Sequence, residues 1–233
     1  MNAERIRENL QSVHERIALA EARAGRPKGS VRLVAVTKRN DPDRIRPLIE
    51  HGVQDLAENY PQELWKKVEA LSAFPVRWHM IGHLQGNKLK KTFPLVRMIH
   101  AVDSLKLLRD LDRMAADCPR DARPEVCLQV NTSGEVAKHG WSSEALIAEE
   151  DAIASCREIP VVGLMTMAAL GTTAESARPS FEELRLLRDD FRLRTGLALE
   201  HLSMGMSSDF ETAIEEGATL VRVGSALFEE ERA

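Results

Sequence analysis

Apolar positions along this chain fall into two alternating rhythms. Over residues 3–24, Ile6, Leu10, Val13, Ile17 and Ala20 recur at steps of three and four, which puts them on one face of a helix. The spacing predicts an amphipathic helix over Ala3–Ala24, closed by Gly25 and Pro27 in the order that stops helices. A shorter beat follows. Val31–Lys38 is a β-branched apolar run broken off by Arg39, Asn40, Asp41 and Pro42, as expected of a buried strand of a parallel sheet. Further runs of this kind lie near Val53–Ala57, Val76–Gly82, Met98–Val102, Glu125–Asn131, Val161–Met165, Leu199–Ser203 and Thr219–Gly224. Helical patterns separate them: a helix opened by Pro42 and stopped by Gly52, then Pro61–Leu71, Asn87–Phe93, Ser104–Cys118, Ser143–Arg157, Ser180–Arg194 and Ser208–Glu216.

Repeated β–α alternation calls for a parallel sheet with right-handed crossovers. Eight beats predict an α/β fold, a closed (β/α)8 TIM barrel with an additional N-terminal helix, as a single domain over residues 1–233. An open doubly wound sheet is the alternative. No Gly-x-Gly-x-x-Gly follows the first strand, which weakens the dinucleotide-binding form of that fold. The stretch Gly171–Pro179, rich in turn-forming residues, is expected as a mobile loop after the sixth strand.

Composition narrows the partners more than the fold. A net charge of −4 gives no reason to expect nucleic acid. No apolar run is long enough to span a bilayer, and the residues after Met1 lack the core of a secretory signal. Cys118, Cys127 and Cys156 are odd in number and show no Cys-x-x-Cys spacing, so they read as isolated reduced thiols. A cytoplasmic protein with no membrane partner is expected.

In a barrel the strand carboxyl ends converge on one face. Here they carry Thr37-Lys38, Glu58-Asn59-Tyr60, Gly82–Lys88, Asp103-Ser104, Asn131–Ser133, Met165–Met167, Ser203–Ser207 and Arg222–Ser225. That set lacks the carboxylate pair of a glycosidase and a His-His-carboxylate metal cluster. Lys38 shares a strand face with Val34 and Val36. A lysine there forms Schiff bases when burial frees its amine, or it snorkels out to solvent. Ser207 and Gly224-Ser225 follow the last two strands, where barrels often hold phosphate on backbone N–H groups. The same residues also suit a helix cap and a corner, with Ser208 and Glu211 at capping-box spacing. Arg222, on the face of Leu220 and Gly224, is costly inside a strand unless it pairs with a counter-ion or serves a ligand. Together these groups describe a site for a phosphorylated aldehyde, and pyridoxal 5′-phosphate (PLP) satisfies them.

Other residues carry plainer readings. His79 and His83 are expected as pocket or core histidines, and Asn87–Lys91 as a solvated basic face. Glu135 with Lys138 reads as a surface ion pair, and Met165, Met167, Met204 and Met206 suit either the pocket or the core.

The motifs Val36-Thr37-Lys38, Glu58-Asn59-Tyr60 and His79-Met80-Ile81-Gly82-His83-Leu84-Gln85-Gly86-Asn87-Lys88 occur in succession. Gln129-Val130-Asn131, Gly163-Leu164-Met165-Thr166-Met167, Leu202–Asp209 and Val221-Arg222-Val223-Gly224 follow them. The set resembles the YggS/PROSC family of PLP homeostasis proteins, related in fold to the N-terminal domain of alanine racemase. The resemblance spans nearly the whole chain. It implies that Lys38 carries PLP as a Schiff base, that Ser207, Gly224 and Ser225 hold the phosphate, that Arg222 faces the pyridine nitrogen and that Asn59 lines the pocket. Leu56-Ala57, where Phe-Gly is common, and Pro61 depart from the family pattern at the level of packing.

The expected function is to carry or buffer PLP in vitamin B6 and amino-acid homeostasis, with little or no turnover. PLP-dependent apoenzymes are the expected recipients, and the chain is expected to be a monomer. An arginine only donates hydrogen bonds, so a ring nitrogen facing Arg222 stays unprotonated and draws electrons poorly. The chain also ends after the eighth strand, with no following β-domain to supply a second acid–base residue. The alternatives are a PLP-dependent racemase or decarboxylase of low activity, and an aldolase that uses Lys38 directly.

Overall fold

Side chains alternate between the two faces of a strand, and here the alternation separates two apolar cores. The computed structural model describes residues 3–135, 139–169, 171 and 173–229. Eight strands, β1 (Arg32–Val36), β2 (Asp55–Glu58), β3 (Arg77–Met80), β4 (Met98–Val102), β5 (Glu125–Gln129), β6 (Val161–Met165), β7 (His201–Ser203) and β8 (Leu220–Val223), pair in parallel and in chain order. The sheet closes where β1 meets β8, with Leu33 opposite Val221 and Ala35 opposite Val223. The barrel predicted from the alternation is therefore the fold.

The helices are α1 (Ala3–Arg23), α2 (Pro42–Glu50), α3 (Pro61–Ala70), α4 (Gly86–Thr92), α5 (Leu105–Ala116), α6 (Ser143–Ala148), α7 (Glu150–Ala154), α8 (Ala174–Thr195), α9 (Phe210–Glu215) and α10 (Ser225–Phe228). Between them and the strands lies the larger core, which includes Leu33, Leu56, Leu108, Phe181 and Phe210. Inside the barrel a smaller cluster holds Val34, Val36, Ala57, Met98, Ala101, Cys127, Met165 and Leu220. Both Met98 and Ala101 belong to that interior cluster because the ladder to β5 shifts register between Ile99 and Val102.

Helix α1 packs against α2, α9 and α10 through the apolar face read from its spacing. Burying each leucine or isoleucine of that face contributes about 1.5–3 kcal/mol relative to solvent. Asn9 Nδ2 donates to the carbonyls of Leu227 and Glu229 at 3.2 and 3.1 Å, so the helix also anchors α10. Among the described residues no helix is long and apolar enough to cross a membrane.

Several local expectations need correcting. Strand β1 stops at Val36: the Thr37 N–H still reaches the Ala57 carbonyl, but the chain then turns through Arg39 at φ 62°. Of the loop expected over Gly171–Pro179, residues from Ala174 onward belong to α8, capped by Thr173, whose side chain accepts from the Ser176 N–H. Buried Ala177 and Phe181 hold that first part of the helix to the core, and Pro179 is tolerated within it. The helix expected over Ser143–Arg157 breaks at Glu149, whose carboxylate accepts from Trp141 Nε1 at 2.8 Å. The Ser208–Glu211 capping box does not form. Asp209 starts α9, and its Oδ1 accepts from the Met206 N–H at 2.6 Å.

Candidate functional site

At the carboxyl ends of the strands a cavity of about 620 Å³ opens, and its wall includes Lys38, Asn59, Ser207, Arg222, Gly224 and Ser225. The six residues come from four strand ends. All the site residues singled out from the sequence therefore meet in one place. Met167 and Met206 also line the cavity, whereas Met165 sits inside the barrel below it and Met204 in the outer core.

Lys38 lies in the turn just beyond β1, and its side chain is exposed to the cavity. The peptide before it is held from behind. Thr37 Oγ1 donates to Glu58 Oε1 at 2.6 Å, and buried Lys67 donates to the Thr37 carbonyl at 2.8 Å and to Glu58 Oε1 at 2.5 Å. Asn59 follows β2 and packs tightly against Gly82. A Cβ at Gly82 would collide with the Asn59 carbonyl and side-chain oxygens, so only glycine admits this approach.

The β7 and β8 ends meet at a single oxygen. Ser207 Oγ accepts from the N–H groups of Gly224 and Ala226, both at 3.2 Å. Two converging backbone donors are the geometry that receives a phosphate oxygen, and the serine hydroxyl stands where such an oxygen would bind. Gly224 packs closely on β1, since a Cβ there would stand 3.3 Å from the Val36 Cβ and carbonyl oxygen.

Arg222 is 3% exposed at the base of the cavity. Its guanidinium donates to Ser203 Oγ at 2.7 Å and to the Thr166 carbonyl at 2.9 Å. Burial pushes its pKa down to about 10, against the opposing field of Asp209, so it remains protonated at neutral pH. Beside it inside the barrel, burial raises the Cys127 thiol to about 12 and keeps it un-ionised.

His79 is fully buried inside the barrel, while His83 is exposed and meets Asp103 at 2.6 Å. The His83 ring stacks on His139 at 4.7 Å, so the loops do assemble a His-His-carboxylate group, which the strand ends alone did not show. Lys88 and Lys91 stand over the Trp65 ring at 5.8 and 4.1 Å, so part of the basic face packs on an aromatic. Lys138 lies outside the described residues, and the Glu135 carbonyl accepts from Asn131 Nδ2. Sequence reasoning missed Lys67, His100 and the Ala226 N–H, and it placed Ser203 at a strand end without a role. A histidine amid the apolar run Met98–Val102 was the one available signal, because a buried polar ring requires partners.

The model of the alanine racemase N-terminal domain matches residues 5–231. A pyridoxal phosphate homeostasis protein of Aquifex aeolicus is 40% identical over 225 residues, covering 97% of this chain and 98% of its own. PipY of Synechococcus elongatus PCC7942, solved with PLP bound, superposes with a TM-score of 0.80 at 36% identity, over 93% of this chain and all of PipY. Alanine racemase of Corynebacterium glutamicum shares the fold, with a TM-score of 0.71 at 16% identity over 96% of this chain and 62% of its own.

Proposed function

This chain belongs to the pyridoxal phosphate homeostasis proteins of the alanine racemase N-terminal domain family, and from that premise we propose that it binds PLP as a Schiff base on Lys38 and carries or buffers it. The observation that carries the reading is the convergence of an exposed lysine, a buried arginine and two aligned backbone N–H groups on one cavity. Lys38 holds the aldehyde end. Ser207, Gly224 and Ser225 receive the phosphate, Asn59 forms the wall beside Lys38, and Arg222 meets the ring nitrogen.

When bound, PLP supplies an aldehyde that captures amines and a ring that withdraws electrons from them. Arg222 limits the second property. Protonated and able only to donate, it keeps a facing ring nitrogen as an acceptor and denies it a proton. Proton exchange on both faces of a substrate also needs two groups within reach. Among the described residues lining the cavity, no histidine, cysteine or tyrosine joins Lys38 as a second acid–base partner, and Glu229 is the one carboxylate. Both points favour storage and delivery over racemisation. A cytoplasmic monomer that hands PLP to apoenzymes completes the proposal.

The test is the absorption spectrum of the protein with PLP, before and after borohydride, with mass spectrometry of the Lys38 peptide. A visible band, fixed on Lys38 by reduction and absent from Lys38→Ala, is the expected result. An unmodified Lys38 would overturn the reading, and brisk α-hydrogen exchange of amino acids in deuterated water would return the protein to the racemases.

A further inference from the structure

The barrel interior contains a line of polar side chains in an otherwise apolar filling. It starts at Asp55, the first residue of β2, at the end of the barrel opposite the cavity. His79 Nε2 is 2.9 Å from Asp55 Oδ1, and His79 Nδ1 is 2.8 Å from His100 Nε2. His100 Nδ1 is 2.7 Å from Ser203 Oγ, which accepts from Arg222 NH1 at 2.7 Å. His79, His100 and Ser203 are wholly buried.

The ends of this line dictate its direction. A carboxylate only accepts, so His79 must donate to Asp55 from Nε2. Neutral His79 then has an acceptor at Nδ1, and His100 donates to it from Nε2. Neutral His100 in turn accepts at Nδ1 from the Ser203 hydroxyl, whose oxygen receives Arg222. Every link is satisfied in one orientation only, running from guanidinium to carboxylate. Neutral rings suit the surroundings. Burial lowers both histidines; Arg32 and Arg77 oppose a charge on His79 while Asp55 favours one, and Arg222, His79 and His201 oppose one on His100.

The arrangement answers an electrostatic problem. Arg222 is a buried cation whose two direct acceptors, Ser203 Oγ and the Thr166 carbonyl, are neutral. A buried charge needs compensation. Asp209 lends its field from the β7 turn, and the line of aligned dipoles connects the guanidinium to a second carboxylate. Asp55 is itself pinned by Arg77, whose Nε and NH2 reach its two oxygens at 2.9 and 2.6 Å.

We propose that Asp55, His79, His100 and Ser203 are positioning residues for Arg222, forming a one-way hydrogen-bond chain that fixes its guanidinium toward the cofactor ring and supplies counter-charge from the far end of the barrel. The functional half of this statement rests on the PLP reading above; the chain itself does not.

Two measurements test it. In the protein without PLP, 15N spectra of labelled histidine show His79 and His100 as neutral Nε2–H tautomers that stay so as pH falls through the ordinary histidine range. An Nδ1–H tautomer or titration near pH 6.5 at either ring overturns the chain. With PLP, Ser203→Ala and His100→Phe weaken binding by about tenfold and move the visible absorption maximum, because the guanidinium loses its orientation. Asp55→Asn preserves size and an acceptor oxygen and shifts the same band from the opposite end of the barrel. It also serves where a larger change prevents folding. If wild-type protein shows no Lys38-dependent band, the PLP reading fails and the tautomers still decide the chain. A wild-type band that all three variants reproduce in position and affinity refutes the positioning role.

Discussion

Lys67 and Glu58 form a buried ion pair directly behind the site, with Nζ and Oε1 2.5 Å apart and the two side chains 6% and 0% exposed. The pair also clamps Thr37, since both charged groups hydrogen-bond to that residue. Lys38 therefore leaves a strand end that is held in place by α3 and β2.

Removing one partner strands the other charge in the core. Lys67→Met is expected to cost about 3–5 kcal/mol of stability, read as a fall in the urea midpoint at constant m-value. The double variant Glu58→Met with Lys67→Met is expected to recover part of that loss, because no unpaired charge remains.

If the proposed phosphate site is right, Gly224 is where a side chain is least tolerated. Gly224→Val places methyl groups against Val36, beside the N–H pair, where a Cβ alone already stands 3.3 Å from the Val36 Cβ and carbonyl oxygen. PLP affinity is expected to fall roughly tenfold, while pyridoxal, which lacks the phosphate, keeps its affinity. Equal losses for both compounds would show that the loop does not hold the phosphate.

Gly82→Ala acts on the opposite wall. The added methyl collides with both oxygens of Asn59, so β2 and β3 must move apart at the mouth of the cavity. A loss of at least about 2 kcal/mol in thermal unfolding is expected, together with weaker PLP binding.

Acid should unfold the protein in two stages. Burial lowers the pKa of His79 and His100, so below the unfolded value of 6.5 the unfolded chain binds more protons than the native one. Stability is then present above about pH 6.5 and lost as pH falls beneath it, by up to about 1.4 kcal/mol per pH unit for each ring. Burial alone would raise Asp55, but hydrogen bonds from His79 and Arg77 hold it down to about 2. Its contribution is present above its unfolded value of 3.8 and disappears between pH 4 and 2. Unfolding followed from pH 7 to 2 checks both steps, and His100→Phe should flatten the first.

The stretch Gly171–Pro179 shows where local composition misleads. Its glycine, threonines, serine and proline suggest a loop, yet α8 begins at Ala174. Arg178 ties it to Glu215 and Glu216 at 2.8 and 2.9 Å, and Phe181 is fully buried. Contacts with distant residues overrode weak local preference.

By itself the sequence determined the order and kind of the elements, the barrel, and the six residues whose strand ends surround the cavity. Those properties follow from periodicity and chain order, which near neighbours encode, except that Asn59 was singled out by the family resemblance. Only the tertiary structure decided who partners whom inside the barrel. His100 and Ser203 stand 103 residues apart, and their contact depends on strand register, the shift in β4 and the closure of β1 on β8. The same holds for Lys67 and Glu58, which meet only once α3 has folded back over β2. Hydrophobic patterning specifies which face a residue takes, whereas a polar pair exists only when closure brings a donor to an acceptor.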